Sequence, residues 1–424
     1  MKRMKIGIGD IGVYVPAPRM DLDRLVAARA AENPELESVL TRAVAKTGQS
    51  SFRFPEPWED TSSLAANAAV SVLDRLGPDG CEGIRLLAVG TETSVDHSKP
   101  VASYVQGMLR RAGYSLGTAM TTFEVKHACA GETAALLSSA AMIGCSPEDG
   151  EKALVIGSDI ARYEAPSTAE ITQGAGAAAL VVEKNPRLLE LDLGTQGFFA
   201  SDVDDFFRPL GSVTAKVKGR YSMECYQEAM GAAVLDYAKR KGTDISGVLE
   251  ETDYLALHVP FATMPVKAVT GLLREGCGWS GNDVDAFFER TGFVDAMAMS
   301  ATFGNLYTGS LYAYLAVLLE REYAKRHSDI VGKNILVASY GSGNTMMVYS
   351  ATIAPEAPRV IASWNLGKLL TDARSATMDD YLRWLERPVD TRDWNALLAD
   401  AAPPTGGFFL KGFEESGLRV YDRA

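Results

Sequence analysis

The stretch that most constrains this chain is Phe123-Glu124-Val125-Lys126-His127-Ala128-Cys129-Ala130-Gly131-Glu132-Thr133, followed by the small, apolar run Ala134 to Ile143. Phe123 and Val125 alternate as a strand does. The run after them is too long and too small-sided for a strand. It reads as a helix packed on all sides, deep in a core and close to other backbones. A tight turn between strand and helix carries Cys129. There the orphan N–H groups and the positive end of the helix dipole favour a thiolate, a nucleophile fit to take an acyl group from a thioester. Glu132, three residues on, reads as a capping carboxylate on the first turn. Free cysteines are more often small core hydrophobes. Cys81, Cys145, Cys225 and Cys277 fit that description, so Cys129 has to be judged by its partners elsewhere in the chain.

A length of 424 residues suits two core-bearing halves, each of roughly 200 residues. The hydrophobic share of 47% and the 39 glycines fit a compact α/β protein. A net charge of −12 argues against nucleic-acid binding, which needs a basic face, but leaves room for an anionic ligand in a pocket with local cations. No secretory leader opens the chain and no run of 18 apolar residues suggests a membrane span. Five widely spaced cysteines without CxxC point to a reducing, cytoplasmic setting, and four histidines without HxxxH or HExxH spacing to no metal site.

Along the chain, residues 5–15 read as a glycine-rich core strand. Their GxGxxG (Gly7 to Gly12) runs into Pro16 and Pro18 rather than a helix, which makes a dinucleotide site improbable. Residues 32–60 read as a polar surface crossing. Asp60-Thr61-Ser62-Ser63 caps a helix through Leu76. Ile84 to Gly90 is a buried strand delivering Glu92, Ala153 to Gly157 another, and Ala175 to Glu183 closes a first half at residue 187. In the second half, 188–424, Tyr254 to Leu257 leads into His258, and Asn334 to Ser339 into Tyr340-Gly341-Ser342-Gly343. The tail from about 355 reads as mostly helical and peripheral. Each half feeds strands into polar residues and then into small or apolar helices, which reads as a duplicated βαβ domain.

Glu92, Cys129 and His258 stand at three strand ends, where α/β sheets hold their chemistry, with the loops Gly304-Asn305 and Gly341-Ser342-Gly343 beside them. Each alone has a plain structural explanation, as a solvated loop acid, a core histidine or a turn. Eight ordered motifs then resemble the hydroxymethylglutaryl-CoA (HMG-CoA) synthase family. They are Gly90-Thr91-Glu92-Thr93, Phe123 to Cys129, Ser158 to Tyr163, Thr172 to Ala177, Asp205-Phe206-Phe207-Arg208-Pro209, His258-Val259-Pro260-Phe261, Gly304 to Tyr312 and Ser339 to Gly343. The resemblance implies the thiolase fold, two duplicated halves stacked as α-β-α-β-α layers. It also implies condensation of acetyl-CoA with acetoacetyl-CoA on the mevalonate, isoprenoid route, by a cytoplasmic homodimer without metal or redox cofactor. Carried onto this sequence, Cys129 takes the acetyl group, Glu92 removes its methyl proton and His258 meets the forming alkoxide. Asn305, Tyr163, Ser310, Thr172 and Gly341-Ser342-Gly343 contact substrate, the last loop with oxyanion-hole N–H groups. Lys267 and Arg208 serve as cations for CoA.

The chain departs from the family where Ala262-Thr263-Met264 replaces the usual lysine after His-Val-Pro-Phe, and where Ala130 replaces a bulkier residue. Three other readings stay open: a β-branching relative that takes its acyl group from an acyl carrier protein, a decarboxylating ketoacyl-synthase-like enzyme, and a silent binding protein. Glu92 speaks against the second, and the intact Cys, Glu, His and Asn set against the third. His127 lies beside Cys129 in sequence, but residues across a turn rarely point together.

Overall fold

The structure is a computed structural model that describes residues 5–388 and 390–424. Its frame is a nine-stranded sheet. In chain order the strands are β1 (Ile6–Tyr14), β2 (Ile84–Gly90), β3 (Thr121–Val125), β4 (Lys152–Ala161), β5 (Gly174–Lys184), β6 (Leu189–Ala200), β7 (Tyr254–Leu257), β8 (Asn334–Gly341) and β9 (Thr345–Ile353). Their spatial order is β7-β8-β9-β6-β1-β5-β4-β2-β3. Strand β2 pairs in parallel with β3 and β4, and β5 runs antiparallel to β4 and β1. The second half repeats this: β7 is parallel to β8, and β9 antiparallel to β8 and β6. Each half therefore ends in an antiparallel strand beside its own first strand. The second half lacks only a counterpart of edge strand β3, and there the chain forms the helices Gly281–Thr291 and Phe293–Phe303. The halves meet where β1 pairs antiparallel with β6.

The helices make the remaining layers. Thr61–Glu82 covers one face of the first half and Gly219–Lys241 one face of the second. Gly131–Cys145 and Ser310–Arg326 lie between, joined by Thr133 Oγ1 and Tyr312 OH at 2.8 Å. This is the expected α-β-α-β-α stack, and β1 is the expected core strand. The small-residue helix is central for the foreseen reason. A Cβ on Gly90 would stand 2.1 Å from Glu132 N, so β2 presses directly on the helix's first turn. Residues 128–145 are long and apolar enough to cross a membrane, which the sequence reading did not expect of any segment; here the helix packs against β2 and β4.

Two expectations need correction. Residues 32–60 are no surface crossing: they form the helix Glu35–Thr47 and the strand Ser51–Arg53, and bury Phe52, Arg53 and Phe54. Their charges hid three consecutive core side chains. The tail is not peripheral either. Tyr381 and Trp384 are buried with Phe52 and Phe54. Arg374–Ser375 adds a strand beside Pro18–Asp21. The hairpin Phe408–Phe413/Arg419–Arg423 closes on Asp60 through Tyr421 OH at 2.7 Å. Tyr381 and Trp384 are core anchors carried on the short, charged helix Met378–Leu385.

Candidate active site

Strands β2, β3, β7 and β8 each hand over a polar residue beyond their C-terminal ends. Glu92 follows β2. Cys129 follows β3 on a turn where Ala128 has φ of 41°. His258 follows β7 and Ser342 follows β8. Asn305 arrives from the Phe293–Phe303 helix through Gly304, whose φ of 78° and close approach to Gln173 O exclude a side chain.

Cys129 Sγ donates to Glu92 Oε1 at 3.2 Å, and both side chains are buried. Burial first, then Asp159, pushes the Glu92 carboxyl up to about 8, while Arg208 and the Cys129 hydrogen bond pull it down. Burial first, then the charge and hydrogen bond of Glu92, pushes the Cys129 thiol well above its ordinary range. The resting nucleophile is thus a thiol, where the sequence favoured a thiolate. The helix starts only at Gly131 with Ala130 as its cap. Desolvation beside two carboxylates outweighs the helix end and Arg208.

Asp159, at the end of β4, is fully buried and organises this corner. Its Oδ1 accepts from Thr91 Oγ1, Glu92 N, Thr93 N and Thr93 Oγ1, and its Oδ2 from Thr308 N and Oγ1, over 2.6 to 3.1 Å. Arg208 completes the grip: Nη1 donates to Glu92 O at 2.5 Å and Nη2 lies 3.7 Å from Glu92 Oε2. Held there, Arg208 is not free for CoA phosphates, which corrects the expected role.

His258 is buried and neutral, its pKa lowered to about 3 by desolvation, and Nδ1 has no partner among the described residues. Tyr226 OH fixes its carbonyl at 3.0 Å. Asn305 Oδ1 accepts from Tyr307 N and Ser310 Oγ, which turns its amide nitrogen toward the Tyr163 hydroxyl on the cavity wall. Ser310 also accepts from Leu306 N, so it orients Asn305 rather than touching substrate. Gly341 packs on the nucleophile turn, where a Cβ would meet His127 O at 2.4 Å. The N–H of Gly343 is spent on Asp205 at 3.0 Å, so of the 341–343 loop only Ser342 keeps the expected place at the site. Glu132 does not cap: its carboxyl is buried against Gly157.

Cys129, Tyr163, Thr172, His258, Asn305 and Ser342 line one narrow cavity of ≈ 80 Å³. Glu92, Arg208, Ser342 and Gly343 line a second, wider one of ≈ 640 Å³, and Phe206 lines both. Lys267 lines neither; its exposed Nζ lies 3.4 Å from Lys46 O. His127 is exposed on the wide cavity, and the thiol is engaged by Glu92 rather than by His127. Sequence reasoning gave no role to Asp159, Asp205 or Gln173. Asp205 accepts from Tyr340 OH, and Gln173 Oε1 from Tyr163 N. The available signal was a lone acid or amide directly at an apolar strand end or start.

Comparison with known proteins agrees with this geometry. The family model for the N-terminal part of hydroxymethylglutaryl-coenzyme A synthase matches residues 2–186, and that for the C-terminal part matches 189–277 and 284–423. The hydroxymethylglutaryl-CoA synthase of Enterococcus faecalis is 32% identical over 340 residues, 80% of this chain and 81% of that protein. Among solved structures, MvaS in complex with 3-hydroxy-3-methylglutaryl coenzyme A superposes with a TM-score of 0.85 at 32% identity, covering 100% of both chains. The HMG synthase of the curacin biosynthetic pathway, in complex with an acetyl donor-ACP, gives 0.83 at 26%, covering 99% of this chain and 100% of that one. The chain belongs to the hydroxymethylglutaryl-CoA synthase family of acyl-CoA condensing enzymes.

Proposed function

We propose that this enzyme condenses acetyl-CoA with acetoacetyl-CoA through an acetyl-Cys129 intermediate, releasing HMG-CoA and CoA for the mevalonate route to isoprenoids. The observation that carries it is the 3.2 Å contact between Cys129 and Glu92, with His258 and Asn305 on the wall of the same narrow cavity. Cys129 sulfur attacks the acetyl carbonyl, and CoA leaves as the thiol with the proton that Cys129 gave up. Glu92, a stronger base than an ordinary carboxylate, then takes a methyl proton. The enolate adds to the ketone carbon of acetoacetyl-CoA. The resulting alkoxide takes a proton from His258, which is reprotonated with the proton held on Glu92, so the tertiary alcohol forms and the Glu92 carboxylate is restored. Neutral His258 and the Asn305 amide donate hydrogen bonds where negative charge develops. Hydrolysis of the Cys129 thioester closes the cycle.

A CoA thioester is favoured as donor because the more similar solved relative holds HMG-CoA, while the carrier-bound relative is less similar. Lys267, three residues beyond the cavity-lining Met264, is proposed as a cation for CoA phosphates. We further propose a cytoplasmic homodimer paired along edge strand β3, whose outer side has no strand neighbour among the described residues. Offering acetyl-CoA and an acetylated carrier protein in separate incubations tests the donor. An acetyl adduct on Cys129 from acetyl-CoA supports the mevalonate reading. An adduct from the carrier alone moves the assignment to β-branching.

A further inference from the structure

The two cavities meet at the catalytic pair. Cys129 lines only the narrow one and Glu92 only the wide one, yet their side chains touch. The narrow cavity holds ≈ 80 Å³, room for no more than about three waters at the liquid volume of roughly 30 Å³ each. This geometry matters for the last chemical step, and the inference rests on the function proposed above. Just before hydrolysis the condensed product is tethered at both ends, to Cys129 by one thioester and to CoA by the other. The acyl chain tethered to Cys129 is by itself enough to take up the narrow cavity, which leaves no room for water on that side.

We propose that the wide cavity is the separate water compartment for hydrolysis, opening onto the acyl-cysteine past Glu92. Its walls suit that use. Lys126, Ser201, Asp202, Arg208 and Asn344 supply polar groups to its walls, and Phe206 lines both cavities. In the step itself the water oxygen bonds to the thioester carbon and one water proton goes to Glu92. The carbon–sulfur bond breaks, the sulfur takes the proton back from Glu92, and the product leaves as its carboxylate, giving its acid proton to solvent. The cycle ends on the thiol–carboxylate contact seen in the free enzyme.

The test is to plug the wide cavity from its rim. Ser201 is exposed and held only through its backbone, by Asn344, so Ser201→Trp leaves the catalytic groups untouched. Lys126→Trp plugs the opposite wall, should the first variant fold poorly. Rapid-quench intact-protein mass is followed with acetyl-CoA alone and then with both substrates. The expected result is an unchanged rate of acetyl transfer, turnover reduced about tenfold or more, and accumulation of a Cys129 adduct with the mass of the whole condensed CoA ester. Either plug that acetylates normally and turns over at the wild-type rate without that adduct overturns the proposal. Failure of the wild-type enzyme to acetylate Cys129 at all overturns the underlying functional reading instead.

Discussion

Glu92 and Cys129 share a dry contact in which burial raises both pKa values, Glu92 raises the thiol further and the thiol's hydrogen bond draws the Glu92 carboxyl back down, and that coupling sets the kinetics at the scale of single residues. Replacing Glu92 with Ala removes two of the causes that hold the thiol up. Acetylation by acetyl-CoA should therefore survive within about threefold, while condensation falls by about 10³-fold, the scale of a lost general base. Intact mass and product assay separate the two. The working form of Glu92 is the carboxylate. With its pKa at about 8, the condensation rate should climb with pH through 6 to 8 and level off above it. Arg208 contributes the positive charge that lowers that pKa, so Arg208→Gln should move the rise to higher pH. An unmoved profile would mean that Arg208 only holds the backbone. The nucleophile, base and histidine were legible as types at strand ends, and their convergence came from family resemblance. The elevated thiol was not legible, because the partner that raises it lies 37 residues away.

At the scale of elements, the small-residue helix packs its first turn directly against strand backbone. Gly90→Ala drives a Cβ into the Glu132 backbone and should cost about 1–3 kcal/mol as overpacking, read as a lowered Tm. Glu132 on the same turn is fully buried with its carboxyl against the Gly157 backbone, and burial raises its pKa well above the ordinary value. Below the unfolded pKa of about 4.3 the carboxyl is protonated in both states and costs nothing. As pH rises past it, the unfolded chain loses the proton and the fold keeps it, so stability falls by up to about 1.4 kcal/mol per unit. Glu132→Gln should match wild type near pH 4 and exceed it increasingly toward pH 8 in denaturant melts; parallel curves would contradict a protonated Glu132. Period and residue size made this helix legible. They could not distinguish a capping Glu from a buried one, because the space it occupies is vacated by Gly157, on a strand distant in sequence.

At the scale of the whole molecule, the repeated strand order explains how four polar residues from two halves reach one place. The duplicated halves could be read from strand-to-polar-residue handovers, whereas β6 and the tail's packing could not. Tyr381 shows why: its hydroxyl donates to Glu170 at 2.8 Å and accepts from Gln173 at 2.6 Å, more than 200 residues away. Gln173 in turn holds Tyr163 N at the site. Tyr381→Phe should therefore cost about 1–3 kcal/mol through groups left unpaired, with a lowered Tm and a raised KM for the CoA ester. A lowered Tm with KM unchanged would confine the tail to a structural role. The most direct test of the account is intact-protein mass with peptide mapping after incubation with acetyl-CoA alone. One acetyl group on Cys129, discharged by acetoacetyl-CoA with release of HMG-CoA, is the predicted result. An unmodified Cys129, or an acetyl group mapped to another residue, would contradict it.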